Sequence, residues 1–137
     1  MSNLLANVCV GMQGSVSIVV AEEHTAARVG SGAAPVLATP TLVMLLEAAA
    51  LAAAERHLPA GHQSLGTRID VAHLAATPLG MRVTAHAEVV AAEGRTLRFR
   101  VWAEDEREKV GEGTHERVVV ETARFEKRLN DKATRTG

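Results

Sequence analysis

The chain has 137 residues, 47% apolar and 23% charged, a size and composition that predict a single compact domain over 1–137 with a proper core. Its formal net charge of −1, with Phe99, Trp102 and Phe125 as the only aromatics, gives no basic surface or stacking platform for nucleic acid and no attraction to an acidic membrane. No apolar run reaches the ~20 residues that span a bilayer.

The opening segment, MSNLLANVCVGMQG, lacks a basic n-region, so no secretory signal is expected. Cys9 is the only cysteine, which precludes an intrachain disulfide and fits a reducing cytoplasm. It sits in apolar NVCVG with no activating base nearby in sequence, which argues against a catalytic thiol.

Ser15 to Val20 is a β-like run, and GSGAAP (Gly30 to Pro35) reads as loop. Thr39-Pro40 then predicts a helix start, with a hydroxyl residue at the N-cap and proline at the first helical position. Pro59 and Gly61 predict its end near His57 or Leu58. From Leu42 to Ala54 every residue but Glu47 is apolar, so this helix must be enclosed.

Beyond Gly61 the apolar period changes to two. Ile69, Val71 and His73 share one strand face. Met81, Val83, Ala85, Ala87 and Val89 face one way on the next strand, and Leu97, Phe99 and Val101 do so on the one after, with a turn at Glu93 to Thr96. A last long strand runs from about Lys109 to Glu121, and the charged segment of about 126–137 reads as a frayed tail. One long apolar helix with one antiparallel sheet is α+β. A sheet wrapped round the helix covers most of it, and a second copy would cover the rest, which predicts a dimer.

Four features could carry chemistry. Glu47 has only apolar residues at its helical neighbours Val43, Met44, Ala50 and Leu51. An ionised carboxylate there either lies on a wet edge of the helix or protonates, pairs or acts. Thr39 can cap the helix, and the free N–H groups of a helix start also suit a developing oxyanion. His73 can be a hydrogen-bonded core residue, or can pair with Glu47 so that each tunes the other. The remaining histidines, His24, His57, His62, His86 and His115, fit no metal-ligand spacing, so no metal is expected. Phosphate-loop, dinucleotide-binding and nucleophile-elbow motifs are absent.

Taken together, PVLATPTLVMLLEAAA, SLGTRIDVAHLAATPLG, GRTLRFRVWAED and VGEGTHERVVV closely resemble the fluoroacetyl-CoA-thioesterase-like branch of the hotdog-fold thioesterases, over about 16–129. That resemblance implies an antiparallel sheet wrapped around a long central helix, and a homodimer with sites near the interface, with a dimer of dimers left open. It implies hydrolysis of an acyl-CoA substrate with no cofactor beyond the CoA that the substrate carries. The family's catalytic threonine, glutamate and histidine fall on Thr39, Glu47 and His73. Its glycine near the thioester carbonyl falls on Gly66, and the arginine of GTHER on Arg117. Glu47 would be base or nucleophile, with His73 and Thr39 assisting. One departure stands out: where the fluoroacetyl-specific relative has bulky aromatics covering its site, this chain has Gly30, Ser31, Gly32, Ala33, Ala34 and Pro35. Fluoroacetyl specificity is therefore not expected. The competing readings are a non-catalytic acyl-CoA-binding module and, with less support, an acyl-CoA hydratase or dehydratase, whose usual Asp/His motif is missing.

Overall fold

The computed structural model describes residues 4–134. Five antiparallel strands form one sheet in the order β1-β3-β4-β5-β2. In the chain they are β1 (Gln13–Val19), β2 (His62–His73), β3 (Arg82–Glu93), β4 (Thr96–Asp105) and β5 (Lys109–Glu121). Between β1 and β2 lie the short helix α1 (Ala26–Val29) and the long helix α2 (Thr39–Ala54), and α3 (Thr122–Thr134) follows β5. Residues β3 to β5 are a meander joined by short turns, whereas β1 and β2 reach the two opposite edges.

The period-two reading holds on β3 and β4: Val83, Ala85, Ala87, Val89, Leu97, Phe99, Val101 and Ala103 are all buried. They meet Leu42, Leu45, Leu46, Ala49, Ala50, Ala53 and Ala54 of α2. The alanines on both surfaces let helix and sheet approach closely, and Gly14 takes this furthest. A Cβ built on Gly14 would lie 2.3 Å from the Ala53 nitrogen, so a larger residue there would push β1 off the helix. Burial of these side chains stabilises by roughly 25 cal/mol per Å² of apolar surface removed from water.

One stripe of α2 stays open in the single chain. Met44 is 56% exposed and Leu51 38%, and Glu47 lies between them on the same face. β2 is an edge strand of 12 residues with a register shift between Gly66 and Arg68. Among the described residues no helix is long and apolar enough to cross a membrane.

Three details differ from the sequence reading. The N-cap of α2 is Ala38, and Thr39 is the first helical residue, because its hydroxyl is engaged elsewhere. Helical structure does persist to His57, but its last turn, Glu55–His57, tightens to a 3-10 form. The segment expected to fray is helix α3, with residues 135–137 outside the described residues. Good helix formers and the i, i+4 pair Phe125 and Leu129 explain α3, although none of its residues is buried.

Candidate active site

Strand β2 runs back along α2, so residues at the start of the helix meet residues at the end of the strand. Thr39 Oγ1 lies 2.7 Å from His73 Nδ1. The segment leading into α2 is held to the segment after β2 by the Leu37 N–H, which donates to the Thr77 carbonyl at 2.9 Å. Thr77 is itself buried, and its hydroxyl donates to Asp105 at 2.9 Å. His73 Nε2 is buried without a hydrogen-bond partner. Burial holds the His73 pKa below its ordinary value, with the Ala75 backbone pulling the other way, so the neutral imidazole prevails at pH 7. Thr39 and His73 line a groove of about 340 Å³ whose other walls include Ala26, Ser31, Val36 and Leu74.

The second cluster lies midway along the helix. Arg117 Nη1 approaches Glu47 Oε2 at 3.4 Å, with the arginine side chain 7% exposed and the glutamate 40%. The other faces of this guanidinium are also engaged. Nε donates to Ser64 Oγ at 2.7 Å, Nη2 to the Ser64 carbonyl at 3.0 Å, and Nη1 to His115 Nε2 at 3.1 Å. His115 Nδ1 donates to the Arg68 carbonyl at 2.8 Å, which leaves Nε2 as the acceptor. Burial lowers the His115 pKa, the Arg68 carbonyl opposes this, the Arg117 charge adds to the lowering, and Glu47 opposes it. Burial also lowers the Arg117 pKa against the charges of Glu55 and Glu47, yet a guanidinium stays protonated.

Gly66 completes this cluster. A Cβ at Gly66 would lie 2.6 Å from Glu47 Oε2 and 3.3 Å from His115 Cε1. The carboxylate therefore rests directly on the Gly66 backbone, and only glycine leaves room for it.

The five residues singled out in the sequence thus form two groups, Thr39 with His73 and Glu47 with Gly66 and Arg117. The expected Glu47–His73 pair is not formed: each has another partner, Arg117 for Glu47 and Thr39 for His73. Helix geometry gives the reason, since the eight residues from Thr39 to Glu47 rise about 12 Å. Sequence reasoning missed Ser64, Glu55 and His115. A signal existed for one of them. His115 and Arg117 alternate with Val119 on the inward face of β5, and an inward arginine needs acceptors nearby. Among the described residues, no group of three or more histidine, cysteine or acidic side chains is arranged to hold a metal ion.

The family model described as fluoroacetyl-CoA-specific thioesterase matches residues 20–123. The fluoroacetyl-CoA thioesterase of Streptantibioticus cattleyicolor is 44% identical over 97 residues, covering 71% of this chain and 70% of that protein. A solved variant of the fluoroacetyl-CoA-specific thioesterase FlK, in complex with fluoroacetate and CoA, is 39% identical with a TM-score of 0.81, over 86% of this chain and 99% of that one. A thioesterase superfamily member from Thermus thermophilus superposes with a TM-score of 0.88 at 28% identity, over 95% of this chain and 96% of that one. The five-stranded antiparallel sheet and long helix are the α+β hotdog architecture of these thioesterases. By family match and by identity alike, this chain belongs to the fluoroacetyl-CoA-specific thioesterase family.

Proposed function

We propose that the protein hydrolyses a small or medium acyl-CoA thioester to the free acid and CoA, with Glu47 at the centre of the chemistry. The observation that carries this is the Glu47 carboxylate itself. It stands in an otherwise apolar helix, half-exposed, backed by the buried Arg117 cation and laid on the Gly66 backbone. That arrangement sets the carboxylate against a cation and leaves it reachable.

Two routes use it. As a general base, Glu47 takes a proton from water while the water oxygen attacks the thioester carbonyl. As a nucleophile, it attacks the carbonyl directly, and water then hydrolyses the resulting anhydride. Both expel the CoA thiolate, which takes up a proton, so water and thioester become acid and thiol. Backbone N–H groups beside Gly66 suit the developing oxyanion, because glycine admits a carbonyl close to the chain. Neutral His73 holds the exposed Thr39 hydroxyl through Nδ1, and that hydroxyl, on the groove wall, can orient water or the thioester group.

The groove beside Thr39 has small walls, Ala26, Ser31 and Ala75 among them, and no aromatic side chain. This supports acceptance of several acyl groups rather than a single two-carbon one. The open stripe of Met44 and Leu51 and the free edge of β2 support a homodimer in which a second copy covers the site. No cofactor enters this scheme, and the lone Cys9 fits a cytoplasmic setting.

A panel of acyl-CoA esters, with thiol release followed by a chromogenic disulfide, tests the reading. Turnover of several short and medium esters is expected. Tight binding of acyl-CoA without thiol release would favour a binding module instead.

A further inference from the structure

We infer that Glu55 and Ser64 are positioning residues for the hydrolytic reaction, acting through Arg117 to set where the Glu47 carboxylate sits. This rests on the reading of Glu47 given above. Glu55, the first residue past α2, turns its side chain back to β2. Its Oε1 accepts the Ser64 hydroxyl proton at 2.5 Å and its Oε2 the Ser64 backbone N–H at 3.0 Å. A serine hydroxyl has one proton. Committing it to Glu55 turns the oxygen lone pairs of Ser64 toward Arg117.

Arg117 fills the acceptor positions so presented, with Nε on Ser64 Oγ at 2.7 Å and Nη2 on the Ser64 carbonyl at 3.0 Å. Two contacts from one residue fix the guanidinium plane as a bidentate acceptor would. The plane in turn fixes Nη1. His115, able only to accept at Nε2, takes one Nη1 proton at 3.1 Å. The other Nη1 proton points to Glu47 at 3.4 Å, the longest contact of the set. Glu47 is thus the adjustable end of a chain whose other links are shorter and buried or part-buried.

Charge distribution points the same way. One buried cation serves two carboxylates, Glu55 through the Ser64 hydroxyl and Glu47 directly. Because Glu55 answers part of the Arg117 charge, Glu47 is steered by the guanidinium without being locked into a close ion pair. Both glutamates come from the same helical run, so the seven residues between them act as a rigid spacer.

The test compares the wild type with Glu55→Gln and Glu55→Ala, neither of which touches Arg117 or substrate directly. Three quantities are read: kcat and KM on an acyl-CoA ester, melting temperature, and exchange of the Arg117 Nε–H in nitrogen-15 spectra. That signal is assigned by its loss in Arg117→Lys. In Glu55→Ala, kcat is expected to fall about tenfold or more while KM changes less than about threefold, the pattern of a misplaced reacting group. The Arg117 Nε–H should lose its slow exchange. Glu55→Gln keeps one acceptor and should fall between. A Glu55→Ala protein with wild-type kcat and a protected Nε–H overturns the inference. So does a kcat loss that merely tracks the melting temperature while the Nε–H signal is unchanged. If the wild type turns over no acyl-CoA at all, the hydrolytic reading itself is lost, and the positioning role with it; an active wild type indifferent to Glu55→Ala removes the inference alone.

Discussion

Replacing Glu47 by glutamine separates chemistry from packing. Glutamine has the same shape, and its amide oxygen still accepts the Arg117 Nη1 proton now given to Glu47 at 3.4 Å. What disappears is the negative charge and the ability to take a proton. Since the glutamate side chain is 40% exposed, the lost ion pair is screened and costs about 1 kcal/mol or less. For a domain of this size that is a melting shift of about 3 °C or less. Arg117 keeps Ser64 and His115 as acceptors, so no buried donor is abandoned. Turnover should fall by roughly 10²-fold or more, the usual scale for a general base and about 2.7 kcal/mol of transition-state stabilisation. Calorimetry and the thiol-release assay on one preparation give both values. A variant that melts about 10 °C lower yet keeps most of its activity would refute the reasoning and make Glu47 a structural residue.

Gly66→Ala should reduce turnover by about tenfold or more while the protein still folds, since the new methyl would sit 2.6 Å from Glu47 Oε2 and displace the carboxylate; kcat and circular dichroism check this. Thr39→Val removes the 2.7 Å contact to His73, worth about 1 kcal/mol, and should lower kcat more than it lowers the melting temperature. Met44→Glu places a charge on the open stripe of α2 and should convert a dimer into a folded monomer in sedimentation velocity; a wild type already monomeric at micromolar concentration removes the dimer from the proposal. Stability should fall as pH drops below about 6.5, because His73 and His115 resist protonation in the folded state but take protons in the unfolded one; urea midpoints at pH 7.5 and 5.5 measure the slope, which should shrink in His73→Asn.

Much of this was legible in the chain because side-chain periodicity reports which face each residue occupies. The alternation Val83, Ala85, Ala87, Val89 marks its face without help from the rest of the molecule, and Lys109–Glu121 is recovered to the residue. The lone acidic residue among the apolar ones of α2 picks out Glu47 in the same way. Relations between elements are another matter. Nothing local says that Thr39 meets His73 while Glu47 meets Arg117, since that depends on how β2 is registered along α2. The cap at Ala38 was missed for a related reason, because a distant histidine competes for the hydroxyl that would otherwise bond its own helix.

Register also decides what the site can be. A turn of helix advances 5.4 Å for 3.6 residues, while the antiparallel strand advances about 3.3 Å per residue. From Thr39 to Glu55 the helix rises about 24 Å, and from His73 back to Ser64 the strand covers about 30 Å. The strand is the longer of the two, and side-chain reach closes the difference: His73 meets Thr39 at one end and Ser64 meets Glu55 at the other, with Gly66 against Glu47 between them. A carboxylate one turn earlier or later on α2 would lose the Gly66 backbone and the Arg117 fork together. The same restraint keeps the Thr39–His73 pair away from Glu47 within one chain. A reacting group placed between the two clusters must be long, as an acyl-CoA is, or the clusters must be completed by a second copy across the open stripe of α2. Mixed dimers of Thr39→Val and Glu47→Gln chains separate these cases: a quarter to a half of wild-type activity returns only if one site draws on both chains.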